Sequence, residues 1–186
     1  DTLYLPRGWL HQAETSAHDS LHLTIGIAAH TWLDGAKDAL EACQDEIAFR
    51  HGTGAGEADG LVEALAEQLE PERVEERRRR RFLDSRRPIR EDGLTQLRAL
   101  ERLDTETVLE RRETVIADLE ELPDGLALVF EGKEVRFPAQ ASPELRASFE
   151  SEVPFRIADL DGELDSQGRL VLARRLVREG FLRVTD

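Results

Sequence analysis

The chain of 186 residues contains no methionine and one cysteine, Cys43. A single thiol excludes an internal disulfide and agrees with a reducing compartment, so a cytoplasmic location is expected. No apolar run approaches the roughly 18 residues that a membrane-spanning helix requires, and no signal peptide is evident. No membrane partner is therefore expected. Positive charge is also scarce: 25 basic residues face 39 acidic ones, a net charge of −14. Phosphate backbones reward cationic surfaces, so general affinity for nucleic acid is not expected. What the chain does have is 40% hydrophobic and 34% charged residues, the balance of a globular protein with real cores.

The most informative stretch is the first. Residues 2–5 form a short β-rich run, punctuated as a turn by Pro6, Arg7 and Gly8. His11 follows. Residues 20–27 then alternate strictly, with Leu21, Leu23, Ile25 and Ile27 on one face and Ser20, His22, Thr24 and Gly26 on the other. A period of two predicts a strand whose apolar face enters a core while its polar face meets a cavity. A strand, a turn, a histidine and a second strand can place a metal-binding imidazole at the mouth of a β-barrel.

The run Leu5, Pro6, Arg7, Gly8, His11 and Ala13, followed by Ser20 to Gly26, resembles the end of the JmjC-type barrel in the cupin-4 family. That family includes the ribosomal oxygenases, Fe(II)- and 2-oxoglutarate-dependent protein hydroxylases. The resemblance implies that His11 is the third iron ligand, and that the cofactors are Fe(II) and 2-oxoglutarate. It also implies a protein substrate, by analogy a ribosomal protein. His22 and Thr24 share the polar strand face, where they could contact the co-substrate carboxylate or support a ligand; an internal hydrogen bond lining the barrel is the other reading. The family's other two ligands form a His-x-Asp pair, and no such spacing occurs here, since His18 and Asp19 are adjacent. A facial triad needs all three ligands. The chain is accordingly expected to be the C-terminal part of a longer protein, inactive alone. The alternative is a non-catalytic, cupin-derived module for dimerisation or protein binding.

After residue 30 the period changes. Over residues 31–50, Trp32, Ala36, Leu40, Cys43 and Ile47 recur at helical steps, predicting an amphipathic helix. A glycine-rich break at residues 52–56 separates it from a second helix carrying Leu61, Val62, Leu65 and Leu69. Pro71 suits the first turn of a third. That helix holds five consecutive arginines, residues 77–81, and residues 71–87 contain eight Arg against four acids. Glu75 and Glu76 precede Arg79 and Arg80 by four, a spacing that favours helical ion pairs. The arginines read either as a solvated face or cross-subunit contact, or as a contact with ribosomal RNA. A fourth helix is expected over residues 93–103. Such short helices hold no core alone, and the resemblance implies that they form a homodimer.

From residue 105 strands are expected over 107–119, 126–130 and 135–137, the last two as a hairpin. Ser142 is expected as an N-cap with Pro143 at the first helical position. A longer helix should span residues 165–179, closed by Gly180, with a final strand over 181–184. Helix, short helix, long helix and strand is a winged-helix order, which the family carries at its C-terminus. Residues 142–186 nevertheless hold nine acids against seven arginines, so duplex DNA is not an expected partner. The predicted fold class is α+β: the end of a double-stranded β-helix barrel (residues 1–30), a helical dimerisation region (31–103) and a winged-helix-like domain (104–186).

Overall fold

A computed structural model describes residues 2–14, 21–52, 60–89 and 92–185. The fold is mixed helix and sheet, with two small antiparallel sheets. Residues 2–14 and 21–30 contain neither helix nor strand, so the strands expected over 2–5 and 20–27 do not form among the described residues. Leu21, Leu23, Ile25 and Ile27 are 85–96% exposed. The physical reason is that alternation specifies a strand only where neighbours satisfy its amides and cover its apolar face. Nothing in the described chain does either.

Regular structure begins at α1 (Trp32–Ala42). Thr31 caps it in a reciprocal box with Asp34: the Thr31 hydroxyl accepts from the Asp34 amide, and the Asp34 carboxylate accepts from the Thr31 amide. Two 3₁₀ turns follow, so the helix is shorter than the periodicity predicts. Its buried face is also different. Gly35, Asp38, Ala39 and Cys43 point inward, while Trp32, Leu40 and Ile47 remain more than half exposed. Close approach explains the choice: a Cβ on Gly35 would sit 2.9 Å from a Val74 methyl. The backbone of α1 therefore presses on α3 (Pro71–Ser85), which follows α2 (Leu61–Gln68) and opens with its proline in the first turn.

The five consecutive arginines of α3 are spent within the molecule. Arg79 grips Asp118, Arg80 reaches Glu120 at 2.8 Å and Glu134 at 2.9 Å, and Arg81 pairs with Asp38 and Glu41. Arg77 donates to Gln68 at 2.8 Å, and Arg78 pairs with Glu75. The expected pairs four residues apart between Glu75, Glu76 and Arg79, Arg80 are replaced by these longer reaches, because acids on the sheet below offer better-fixed partners.

That sheet is a meander of β2 (Ala117–Leu122), β3 (Gly125–Phe130) and β4 (Lys133–Pro138). All six residues of β3 are buried. Ala127 and Val129 face Leu83 of α3, whereas Leu126, Leu128 and Phe130 enter the main core. A continuous apolar run is the pattern of a strand covered on both faces. The β3–β4 turn carries Glu131 (φ 50°) and Gly132 (φ 71°), the left-handed pair that a two-residue hairpin demands.

The second sheet has the order β5-β1-β6, from β1 (Val108–Arg111), β5 (Phe155–Arg156) and β6 (Leu182–Val184). The single strand expected over residues 107–119 is thus two strands in different sheets. Between them Arg112 turns the chain: its amide bonds to the Phe181 carbonyl, and its side chain bonds to the Gly180 and Ile89 carbonyls and to Glu131. Helix α4 (Gly93–Ala99) lies beside β6, where the Gln96 carboxamide bonds both the amide and the carbonyl of Val184.

Helix α5 (Ser142–Glu150) begins one residue earlier than expected. Ser142 lies inside it and makes no cap bond, because a 3₁₀ turn over Ala139–Ala141 already leads the chain into helical geometry. Helix α6 (Ser166–Glu179) starts one residue later than expected, because Asp165 caps it by accepting from the Gly168 amide, and ends as expected where Gly180 (φ 85°) closes the last turn. Its inner residues Leu172, Ala173 and Leu176 complete the core with Phe130 and Phe181, whose rings meet edge to face 5.8 Å apart.

Candidate metal-ligand segment

The candidate ligand His11 follows a turn in which the Trp9 amide donates to the Pro6 carbonyl at 3.3 Å and Gly8 adopts φ 87°, a conformation open to glycine. The proline sets the approach and the glycine reverses the chain, so the local sequence suffices to place the imidazole just beyond the turn. Nδ1 of His11 lies 3.1 Å from the Trp9 carbonyl. A carbonyl oxygen only accepts, so Nδ1 donates in this bond, and in the neutral ring the Nε2 lone pair is then free. Histidines that bind metals are commonly oriented in this way, by a bond from the other ring nitrogen to a backbone carbonyl.

His11 is exposed, and so are His22 and Thr24 on the irregular segment 21–30. Their expected common strand face is not formed. Among the described residues no three His, Cys, Asp or Glu side chains converge where a metal ion could be held. His18 lies outside the described residues. His51 is exposed beyond the second 3₁₀ turn, whereas His30 is largely covered and faces Asp38. The described residues therefore offer one candidate ligand and not a site, and no catalytic step through iron follows from them.

Residues 1–34 match the family model of the JmjC domain. This match supports the JmjC/cupin family for that segment, and the JmjC domain is typical of Fe(II)- and 2-oxoglutarate-dependent oxygenases. No curated protein matches the chain. The JmjC match includes His11, His22 and Thr24 and ends at Asp34, the acid of the Thr31 capping box. Asp34 is held below the usual carboxylate range, first by the hydrogen bonds from Thr31 and then by Lys37 and His30.

Beyond the match, Glu131 and Glu144 are buried acids, like Asp38 on α1, that escaped the reading of the sequence. Glu131 pairs with Arg112 at 2.7 Å with both side chains nearly covered. Glu144 is fully buried and accepts from the Leu164 amide at 2.6 Å. Gly162 makes room for it, since a Cβ there would overlap the Glu144 carboxylate. The only sequence signal for Glu144 is its place in the first turn of α5, and solvent-facing acids share that position routinely. Among the described residues no helix is long and apolar enough to cross a membrane.

Proposed function

We propose that the chain is the C-terminal part of an Fe(II)/2-oxoglutarate-dependent dioxygenase that hydroxylates a protein side chain, with a ribosomal protein as the substrate class. The observation that carries this reading is His11, which stands in the matched JmjC segment with Nδ1 bonded to a carbonyl and Nε2 free. In this reading His11 is one of three iron ligands, and the other two come from residues other than those described. Iron and 2-oxoglutarate supply the oxidising chemistry when bound. The chain's own share is to hold one imidazole in a single tautomer and to present His22 and Thr24 along the co-substrate side.

Residues beyond the JmjC segment serve association in this proposal. Trp32, Leu33 and Leu40 on α1, with Leu94 and Leu97 on α4, leave apolar surface uncovered, which supports a homodimer. A closed two-fold pair would bury those patches in an isologous interface, and light scattering that reports a strict monomer would overturn it. The order α5, β5, α6, β6 supports a winged-helix-like module, and its excess of acids favours protein over duplex DNA as its partner.

The deciding experiment is 2-oxoglutarate turnover by the protein with a complete barrel, with and without ribosomal proteins. Substrate-stimulated turnover that His11→Ala abolishes is the expected result. Full turnover in His11→Ala refutes the assignment of the ligand. Absence of turnover in the unaltered, folded protein leaves the non-catalytic binding module as the reading.

A further inference from the structure

The junction between the JmjC-matching segment and the helices contains two buried polar atoms that face each other without bonding. Asp38 is 4% exposed; Arg81 takes its Oδ1, and its Oδ2 has no hydrogen-bond partner. His30 Nε2 is likewise buried and unpartnered, 3.8 Å from that oxygen. A gap of this length is too wide for a hydrogen bond, and a buried polar atom left unsatisfied is costly.

The charges around the gap are unbalanced. On α1 stand Asp34, Asp38 and Glu41, and on α3 stands Glu75. Against these four carboxylates the structure sets three cations: Lys37 on Asp34, Arg78 on Glu75, and Arg81 shared by Asp38 and Glu41. Arg79, which also faces Glu75, is neutralised by Asp118. His30 is the basic side chain that faces the unbonded Asp38 oxygen. Both Asp34 and Glu75 sense its charge and are drawn below the usual carboxylate range, each chiefly by hydrogen bonds, from Thr31 and Arg78 respectively.

We propose that His30 is a proton-operated latch: protonated, it closes on Asp38 and holds the end of the JmjC-matching segment against α1 and α3, and neutral, it releases that segment. His30 ends the irregular segment that carries His22 and Thr24, so the latch sets how firmly that segment is tied to the helices. The sign follows from linkage. A proton held only when the latch is closed stabilises the closed state at low pH, and that stabilisation is lost as pH rises.

The latch rests on contacts of this chain and not on iron, so its test is separate from turnover. Hydrogen exchange of the Thr31 amide, which is bonded to the Asp34 carboxylate beside His30, corrected for intrinsic rates, is compared at about pH 5.5 and about pH 8, either side of the imidazole range. Greater protection at the lower pH is expected. His30→Gln should remove that pH dependence, and so should Asp38→Asn. Should Asp38→Asn fail to fold through loss of the Arg81 pair, His30→Gln decides alone. Equal protection at both pH values, or an unchanged pH dependence in His30→Gln, overturns the proposal.

Discussion

Residues 21–27 and β3 are both strand-like in sequence, and they meet opposite fates. Leu23 is 90% exposed, and Leu128 is fully buried. The segment 21–27 alternates more cleanly, yet β3 is the one that forms. β3 has β2 and β4 on its two edges, α3 over one face and the main core over the other. The comparison teaches that a strand is a property of its neighbours. Alternation states which face would be buried and says nothing about whether a partner is present.

The sharpest way to break the comparison is to remove a β3 side chain. Phe130→Ala deletes a fully buried ring that contacts Phe181, and should cost about 3–5 kcal/mol in urea unfolding followed by circular dichroism. A loss below about 1 kcal/mol would mean that the core collapses onto the space more readily than a doubly covered strand allows.

Next in size is Arg112→Ala. It strands the Glu131 carboxylate, whose side chain is 3% exposed, and cuts the bonds to Gly180 and Ile89. Breaking one partner of a buried pair should cost about 3 kcal/mol. The double variant Arg112→Ala with Glu131→Gln should recover part of this loss in the same denaturation experiment, since no uncompensated charge then remains.

A smaller effect is expected from Arg80→Ala, because the arginine and both of its acid partners are partly exposed and screened. Its pH signature is more telling. Arg80, and after it Arg136, holds Glu134 below the usual carboxylate range. The stability contributed by such a depressed group is present above the ordinary carboxylate pKa and is lost as pH falls through the folded value. Acid unfolding of Arg80→Ala should therefore be less steep than that of the unaltered chain. Identical acid transitions would show that the arginines only decorate α3.

The smallest effect should come from Leu23→Ser. In β3 such a change would be severe, but at an uncovered position stability should change by no more than about 0.5 kcal/mol. A larger loss would reveal that residues 21–27 are covered in solution, which the homodimer or barrel reading would have to explain.

Much was readable from sequence because it depends on local chemistry. The turn before His11, Pro71 in the first turn of α3 and Gly180 at the end of α6 each act within a few residues, and the sequence sufficed to place them. The motif around His11 was equally legible, and with it the JmjC resemblance. Tertiary structure decided what local rules leave open. It turned Gly35 and Asp38 inward on α1 instead of Trp32 and Leu40, because helices approach most closely over glycine and a buried acid can be met by Arg81. It split the chain at Arg112 between two sheets, and it directed the α3 arginines to Asp118, Glu120 and Glu134. It also left His22 and Thr24 without a shared strand. Each of these outcomes depends on groups tens of residues apart, whose pairing is a matter of distance in space and is absent from any local pattern.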